Sequence, residues 1–192
     1  MEKKNQIRKK FFRIRKNKYF DITGDYFNPL INFLNNKFRD RSINLSLYYP
    51  SNYEVNVLKL FDTKKNKFKF KFKTLLPLIN KKNFMQFNLW NNFDLLKINK
   101  YGMLEPKNNK IHLIPNVLLV PLLAYDKLNY RIGYGKGYYD KCLNKYFKLK
   151  KDIITVGVAF SFQKYDKLPT QSHDVRLNYI LTDKGLHKKW IF

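Results

Sequence analysis

Ten consecutive residues concentrate the chemistry of this chain: Arg131-Ile132-Gly133-Tyr134-Gly135-Lys136-Gly137-Tyr138-Tyr139-Asp140. Glycines at alternate positions let backbone N–H groups come close to a phosphate, and concave runs of such groups bind anions. A helix starting just after the loop would add the partial positive charge of its N-terminus. Lys136 and Arg131 supply full positive charges, and Asp140 supplies a hard oxygen ligand of the kind that holds magnesium against phosphates. The Gly-x-Gly-x-Gly spacing fits neither the dinucleotide-binding nor the Walker pattern, because no Lys-Ser or Lys-Thr pair closes it. Glycine spacing alone suits a surface turn equally well. What sets this segment apart is anion-binding and cation-binding chemistry side by side at one strand end, the place where α/β sheets bind ligands.

The flanking segments must position that loop. Val117–Val120, ended by Pro121, and Ile153–Phe160 are continuous apolar runs of the kind found in strands buried on both faces. Tyr138–Leu149 between them has helical character, so strand, glycine loop, helix and strand form a βαβ unit. Tyr179–Thr182 reads as a further short strand. Upstream, residues 1–18 form a basic helix with Ile7, Phe11 and Ile14 as its apolar stripe. A second helix is expected over Asp25–Phe38, with Pro29 tolerated in its first turn. Ile43–Tyr49 reads as a strand closed by the turn Pro50-Ser51-Asn52, and Glu54–Phe61 as a short helix. Lys67–Lys73 alternates so that Phe68, Phe70 and Phe72 share one face, which predicts a strand with one buried side. Lysine- and asparagine-rich stretches at 62–67, 80–83 and 106–110 read as surface loops. The fold class is α/β in three layers: a mostly parallel, Rossmann-like open sheet flanked by helices, in one domain over residues 1–192.

Composition bounds the function. Hydrophobic residues make up 44% of the chain, enough to build a core. No run approaches the roughly 18–20 apolar residues that cross a bilayer, and no apolar signal core follows the basic N-terminus, so a soluble, cytoplasmic protein without a membrane partner is expected. The lone Cys142 excludes an internal disulfide and a cysteine metal cluster. A net charge of +25 attracts polyanions, but lysine rises together with Asn, Phe, Tyr and Ile, the signature of A- and T-rich coding. No specific nucleic-acid partner is therefore expected.

Around the glycine loop the sequence resembles the 5-formyltetrahydrofolate cyclo-ligase (methenyltetrahydrofolate synthetase) family. The resemblance is carried by Leu119-Val120-Pro121-Leu122-Leu123-Ala124-Tyr125-Asp126 and by the loop from Arg131 to Asp140. Gly157-Val158-Ala159-Phe160, Gln163, Leu168-Pro169 and His173-Asp174-Val175 continue it downstream, and Tyr101-Gly102-Met103-Leu104-Glu105-Pro106 is similar to a Gly-Ile-x-Glu-Pro element upstream. The resemblance spans roughly residues 2–182. It implies ATP as co-substrate and Mg²⁺ as cofactor. Lys4 and Arg8 match a Lys-x-x-x-Arg element expected to contact ATP phosphates; they lie on one helical face. Arg131, Gly133, Tyr134, Gly135, Lys136, Gly137, Tyr138 and Tyr139 match the phosphate-binding loop, and Tyr134–Tyr138 also match the folate side. Asp140 and Asp174 match the magnesium ligands. Glu54 matches a folate-binding acid, although Asn56 and Val57 stand where the family has Asp and Thr. Leu122 replaces a residue that is small in many members. His173 is assigned no catalytic role.

The implied reaction closes 5-formyltetrahydrofolate to 5,10-methenyltetrahydrofolate with ADP and phosphate, through a phosphorylated formyl intermediate. Lys136 and Arg131 are the expected catalytic groups and a monomer is the expected state. Two other readings exist: a basic RNA-binding protein, which leaves Asp140 and Asp174 unexplained, and a nucleotide-binding regulator that kept the fold and lost the activity.

Overall fold

The computed structural model describes residues 3–64, 67–80, 82–107, 111–149 and 152–188. The first two residues of the expected N-terminal helix, and 65–66, 81 and 108–110 of the expected surface loops, lie outside the described residues. In chain order the elements are α1 (Lys4–Lys18), α2 (Asn28–Phe38), β1 (Ser42–Ser46), β2 (Lys71–Ile79), β3 (Met85–Leu89), β4 (Leu96–Ile98), β5 (Leu104–Pro106), β6 (Val117–Pro121), β7 (Ala124–Tyr125), β8 (Arg131–Ile132), α3 (Tyr138–Leu149), β9 (Ile154–Val158), β10 (Tyr179–Thr182) and β11 (Gly185–Lys188).

A seven-stranded sheet runs in the order β11-β10-β9-β6-β1-β2-β3. The pairings β1–β2, β1–β6, β6–β9 and β9–β10 are parallel, and the outermost strands β3 and β11 are antiparallel. This is the mostly parallel sheet that the apolar runs imply. Along β6 the side chains alternate between two cores: Val117 and Leu119 pack with Leu30, Ile31 and Leu34 of α2, whereas Leu118 and Val120 pack with Cys142, Leu143 and Tyr146 of α3. A strand with an apolar layer on each side has no use for alternation with polar residues, hence the unbroken run. A third core joins Ile7 and Phe11 of α1 to Leu123, Ala124 and Ile132 of the β7–β8 hairpin.

Several boundaries differ from expectation. The helix expected over Asp25–Phe38 splits into a 3-10 turn, Gly24–Phe27, and α2, because Pro29 fixes the start of the α-helix. Glu54 precedes, rather than opens, a 3-10 turn over Val57–Asp62; Asn56 caps that turn by accepting from the Leu58 N–H at 3.1 Å, and Val57 is buried beneath it. β1 ends at Ser46, and β2 begins only at Lys71. The Phe68, Phe70 and Phe72 rings nevertheless cluster at 5.1–5.9 Å and pack on the α2-side core. On α1 the buried row is Ile7, Phe11 and Arg15, with Ile14 only half-buried. No helix among the described residues is long and apolar enough to cross a membrane.

The strand order sets where a ligand can enter. From β1 the chain first adds β2 on one side, then returns to place β6 on the other. The connections therefore diverge between the C-terminal ends of β1 and β6, which opens a crevice there. The segment after β1 leads to Glu54, and the segment after β6 leads through the β7–β8 hairpin to the glycine loop.

Candidate active site

A cavity of about 690 Å³ occupies that crevice. Every sequence-predicted site residue lines it: Lys4 and Arg8 from α1, Glu54 from the segment after β1, Arg131 and Gly133 through Tyr139 from the loop, and Asp140 and Asp174. Residues up to 170 positions apart in sequence thus line one cavity.

The glycines serve different ends. A Cβ added at Gly133 or Gly137 would meet nothing within 4 Å, so both present bare backbone. Gly135 has φ +97°, and a Cβ there would lie 3.2 Å from the Arg8 guanidinium carbon. Arg8 itself donates through Nε to the Gly133 carbonyl at 2.9 Å and through Nη1 to Asn5. The N-terminal helix is therefore latched onto the loop. Gly137 ends the loop with φ +68°, and its carbonyl accepts from the Lys141 N–H at 3.0 Å, which starts α3 with its N-terminus at the cavity.

The cations and acids are already paired. The Arg131 side chain, 4% exposed, donates to Asp140 Oδ1 at 3.0 Å and to the Val175 carbonyl at 3.0 Å. The Val175 N–H donates to the same Asp140 oxygen at 3.1 Å. Lys4 Nζ lies 2.5 Å from Asp174 Oδ2, which also accepts from the Gln171 N–H at 2.7 Å. Asp140 and Asp174 are brought together in this way, and each spends one oxygen on its protein partners. Phosphate-bound hard cations take one or two carboxylates and complete their shell with phosphate and water oxygens, so this donor set fits such an ion. No group of three or more His, Cys, Asp or Glu suited to a metal occurs among the described residues, which leaves a cation dependent on a ligand's oxygens. His173 Nε2 stands 4.0 Å from Asp174 Oδ1, and its exposed ring lines the cavity. Lys136 is exposed at the loop's centre, its ammonium 5.5 Å from the Tyr101 ring centroid.

Glu54 lines the same cavity and is only 6% exposed. Its carboxylate accepts from the Ser51 N–H at 2.9 Å, at the end of a tight turn in which Asn52 and Tyr53 both have positive φ. Burial raises the Glu54 pKa above the usual carboxylate range, while the Arg15 charge and hydrogen bonds from Ser51 and Tyr134 oppose that rise. The Tyr134 hydroxyl accepts from Arg15 Nη2 and is itself pushed up by burial and by Glu54.

Sequence reasoning missed three contributors. Arg15 is 1% exposed and, from the α1 stripe, donates to Tyr134 of the cavity lining; a cation in step with Ile7 and Phe11 was the available signal. Tyr101 belongs to the β4–β5 turn, and its hydroxyl lies 2.5 Å from that of Tyr138. Glu105, 5% exposed, accepts from the Asn99 side chain at 3.2 Å and so holds that turn in place; the Gly-x-x-Glu-Pro spacing marked it, without a role. Leu122 packs where a Cβ on Gly157 would approach its Cδ2 to 2.8 Å, so the larger residue is accommodated by the bare glycine beside it.

The sequence profile of the 5-formyltetrahydrofolate cyclo-ligase family matches residues 1–183. The chain is similar to 5-formyltetrahydrofolate cyclo-ligase of Haemophilus influenzae, with 32% identity over 146 residues that cover 72% of this chain and 74% of that protein. Its fold is similar to the 5,10-methenyltetrahydrofolate synthetase of Aquifex aeolicus, with TM-score 0.69, 25% identity and coverage of 98% and 94% of the two chains. It is also similar to that of Mycoplasma pneumoniae, with TM-score 0.67, 28% identity and coverage of 95% and 99%.

Proposed function

Because this chain belongs to the 5-formyltetrahydrofolate cyclo-ligase family, we propose that it closes 5-formyltetrahydrofolate to 5,10-methenyltetrahydrofolate at the expense of ATP, in the cavity between β1 and β6. The observation that carries this reading is the convergence in one crevice of a bare-backbone loop, its lysine, two paired carboxylates and a buried glutamate.

The chemistry follows from the substrate. The formyl oxygen on N5 leaves poorly as it stands. It attacks the γ-phosphorus of ATP, the bond to the β,γ-bridging oxygen breaks, and ADP departs. N10 then attacks the formyl carbon, loses its proton, and phosphate leaves with the former formyl oxygen. Phosphoryl transfer of this kind needs positioning and charge neutralisation rather than a protein nucleophile. The backbone of Gly133 and Gly137 and the α3 N-terminus face the phosphates, and Lys136 meets the charge that develops on the γ-phosphoryl group. Lys4 and Arg8 approach from α1. Arg131 acts from beneath, because its guanidinium is committed to Asp140 and Val175 and fixes the loop's base. Asp140 and Asp174 would hold Mg²⁺, which supplies neutralisation of the polyphosphate. Glu54 and the Tyr134–Tyr138 face take the folate. The whole chain is read as one domain, supported by a single sheet whose strands span residues 42–188, and as a cytoplasmic monomer.

The test is isotopic. With ¹⁸O in the formyl group, the label should appear in inorganic phosphate after one turnover. Label in bulk water instead of phosphate would overturn the phosphorylated intermediate.

A further inference from the structure

Arg15 is unusual among the cations of this lysine-rich chain because its guanidinium is inside. It is 1% exposed, on the same helix as Lys4 and Arg8 but 11 positions beyond Lys4, roughly 16 Å farther along the axis. Nη1 donates to the Leu122 carbonyl at 3.0 Å, just past the end of β6, and Nη2 donates to the Tyr134 hydroxyl. Nε has no partner among the described residues. Its guanidinium carbon is 5.6 Å from the Tyr134 ring centroid. The phenol accepts from Arg15 and lines the same cavity as Glu54, and the Arg15 charge acts on the Glu54 carboxylate against the rise that burial causes. A buried cation with an unsatisfied donor is poor value for stability alone, since well-packed apolar replacements of buried ion pairs are often neutral or stabilising. Its placement calls for another reason.

We propose that Arg15 is the positioning residue of the folate side of the cavity. Through the Tyr134 hydroxyl and its own charge, it presents Glu54 as a fixed carboxylate acceptor to the N–H-rich pyrimidine edge of the reduced folate. The inference rests on the functional reading above. The geometry divides α1 between the two substrates: its first turns, with Lys4 and Arg8, serve the phosphates, and its last turns serve the folate ring. The charged and titratable groups that act electrostatically on Glu54 are Arg15 from α1, Tyr134 from the glycine loop, Tyr48 after β1 and Tyr139 from α3. Arg15 is the one cation among these four, so the tyrosines cannot replace it in holding the negative charge.

The test measures direct binding of 5-formyltetrahydrofolate and, separately, of ATP to the full chain by titration calorimetry. Arg15→Lys keeps a positive charge but cannot bridge both Leu122 and Tyr134. It should weaken folate binding about 10–100-fold, the loss expected when a hydrogen bond to a charged group goes, and leave ATP binding within about threefold. On a Glu54→Gln background the same substitution should add no more than about a further twofold, because Arg15 then has no carboxylate to present. An Arg15→Lys protein with unchanged folate affinity would overturn the proposal. So would one that loses both ligands equally, or one whose effect persists in full beside Glu54→Gln. If Arg15→Lys does not fold, Tyr134→Phe carries the decision: weaker folate binding alone, with the effect abolished by Glu54→Gln, supports the link, and equal effects on both backgrounds overturn it. A wild-type protein that binds the folate but forms no methenyl product overturns the functional reading while leaving this one to be decided by the affinities.

Discussion

At the scale of single residues, Lys136 bears the largest expected catalytic effect. It is exposed at the centre of the loop, and no ion pair ties it to a carboxylate among the described residues, so its charge can meet the γ-phosphate. Lys136→Met should slow single turnover about 10²–10³-fold at saturating ATP without lowering Tm. A folded variant within about threefold of wild type would remove Lys136 from the mechanism. Asp140→Asn should behave differently, because an amide keeps an acceptor oxygen for the Val175 N–H but loses the charge that pairs with Arg131. The magnesium concentration for half-maximal rate should rise; a stability loss of the size of a helix-dipole effect, about 0.3–1 kcal/mol, with unchanged magnesium dependence would reduce Asp140 to a support for α3. Glu54 adds a pH signature. Its pKa is raised by burial, and a raised carboxyl pKa means the ionised form is lost as pH falls at a higher pH than for a free glutamate, whose pKa is about 4.3. Folate affinity should therefore decline on acidification from above that value, and Glu54→Gln should bind weakly with the pH step removed. A wild-type step at or below about 4.3 would contradict the assignment.

At the scale of elements, the glycine loop works only because α1 lies against it. Gly135→Ala places a Cβ at φ +97° and 3.2 Å from the Arg8 guanidinium, so both backbone and latch must shift. We expect a stability loss of about 1–3 kcal/mol, together with weakened ATP binding, measured by thermal melts and titration. Intact ATP affinity in the destabilised protein would show that the Arg8 latch is dispensable. The loop and the flanking β6, α3 and β9 were legible because their signals are contiguous: an apolar run, glycines, and a helix in 3.6-residue step. The β4–β5 hairpin was not, because each strand has three residues, too short for periodicity to register, and Tyr101 stood there only as part of a family element without a role. The start of β2 was read too early because Phe68, Phe70 and Phe72 cluster by ring packing before the ladder begins. Arg15 was passed over for Ile14 because a hydrophobic stripe is counted in apolar residues, and a buried cation on that stripe looks like solvent-facing charge until its partners on Leu122 and Tyr134 are known.

At the scale of the whole molecule, the parallel sheet and its two helical faces follow from which runs are apolar on both sides, whereas the site depends on a crevice that the strand order creates between β1 and β6. The roles of Lys4, Arg8, Glu54 and Asp174 therefore came from family resemblance, not from local pattern. The charge of +25 is spread along a chain rich in A- and T-coded residues. RNA binding should accordingly be weak and fall steeply between 50 and 200 mM salt, as counterion release dictates. Sequence-dependent binding that survives at physiological salt would revive the RNA-binding reading. One assay tests the proposed activity most directly. Purified protein, given 5-formyltetrahydrofolate, ATP and Mg²⁺ at neutral pH, should generate the near-ultraviolet absorbance of the methenyl product with one ADP formed per product and no ATP consumption when the folate is withheld; ATP turnover that is indifferent to the folate, or no methenyl absorbance at all, would contradict it.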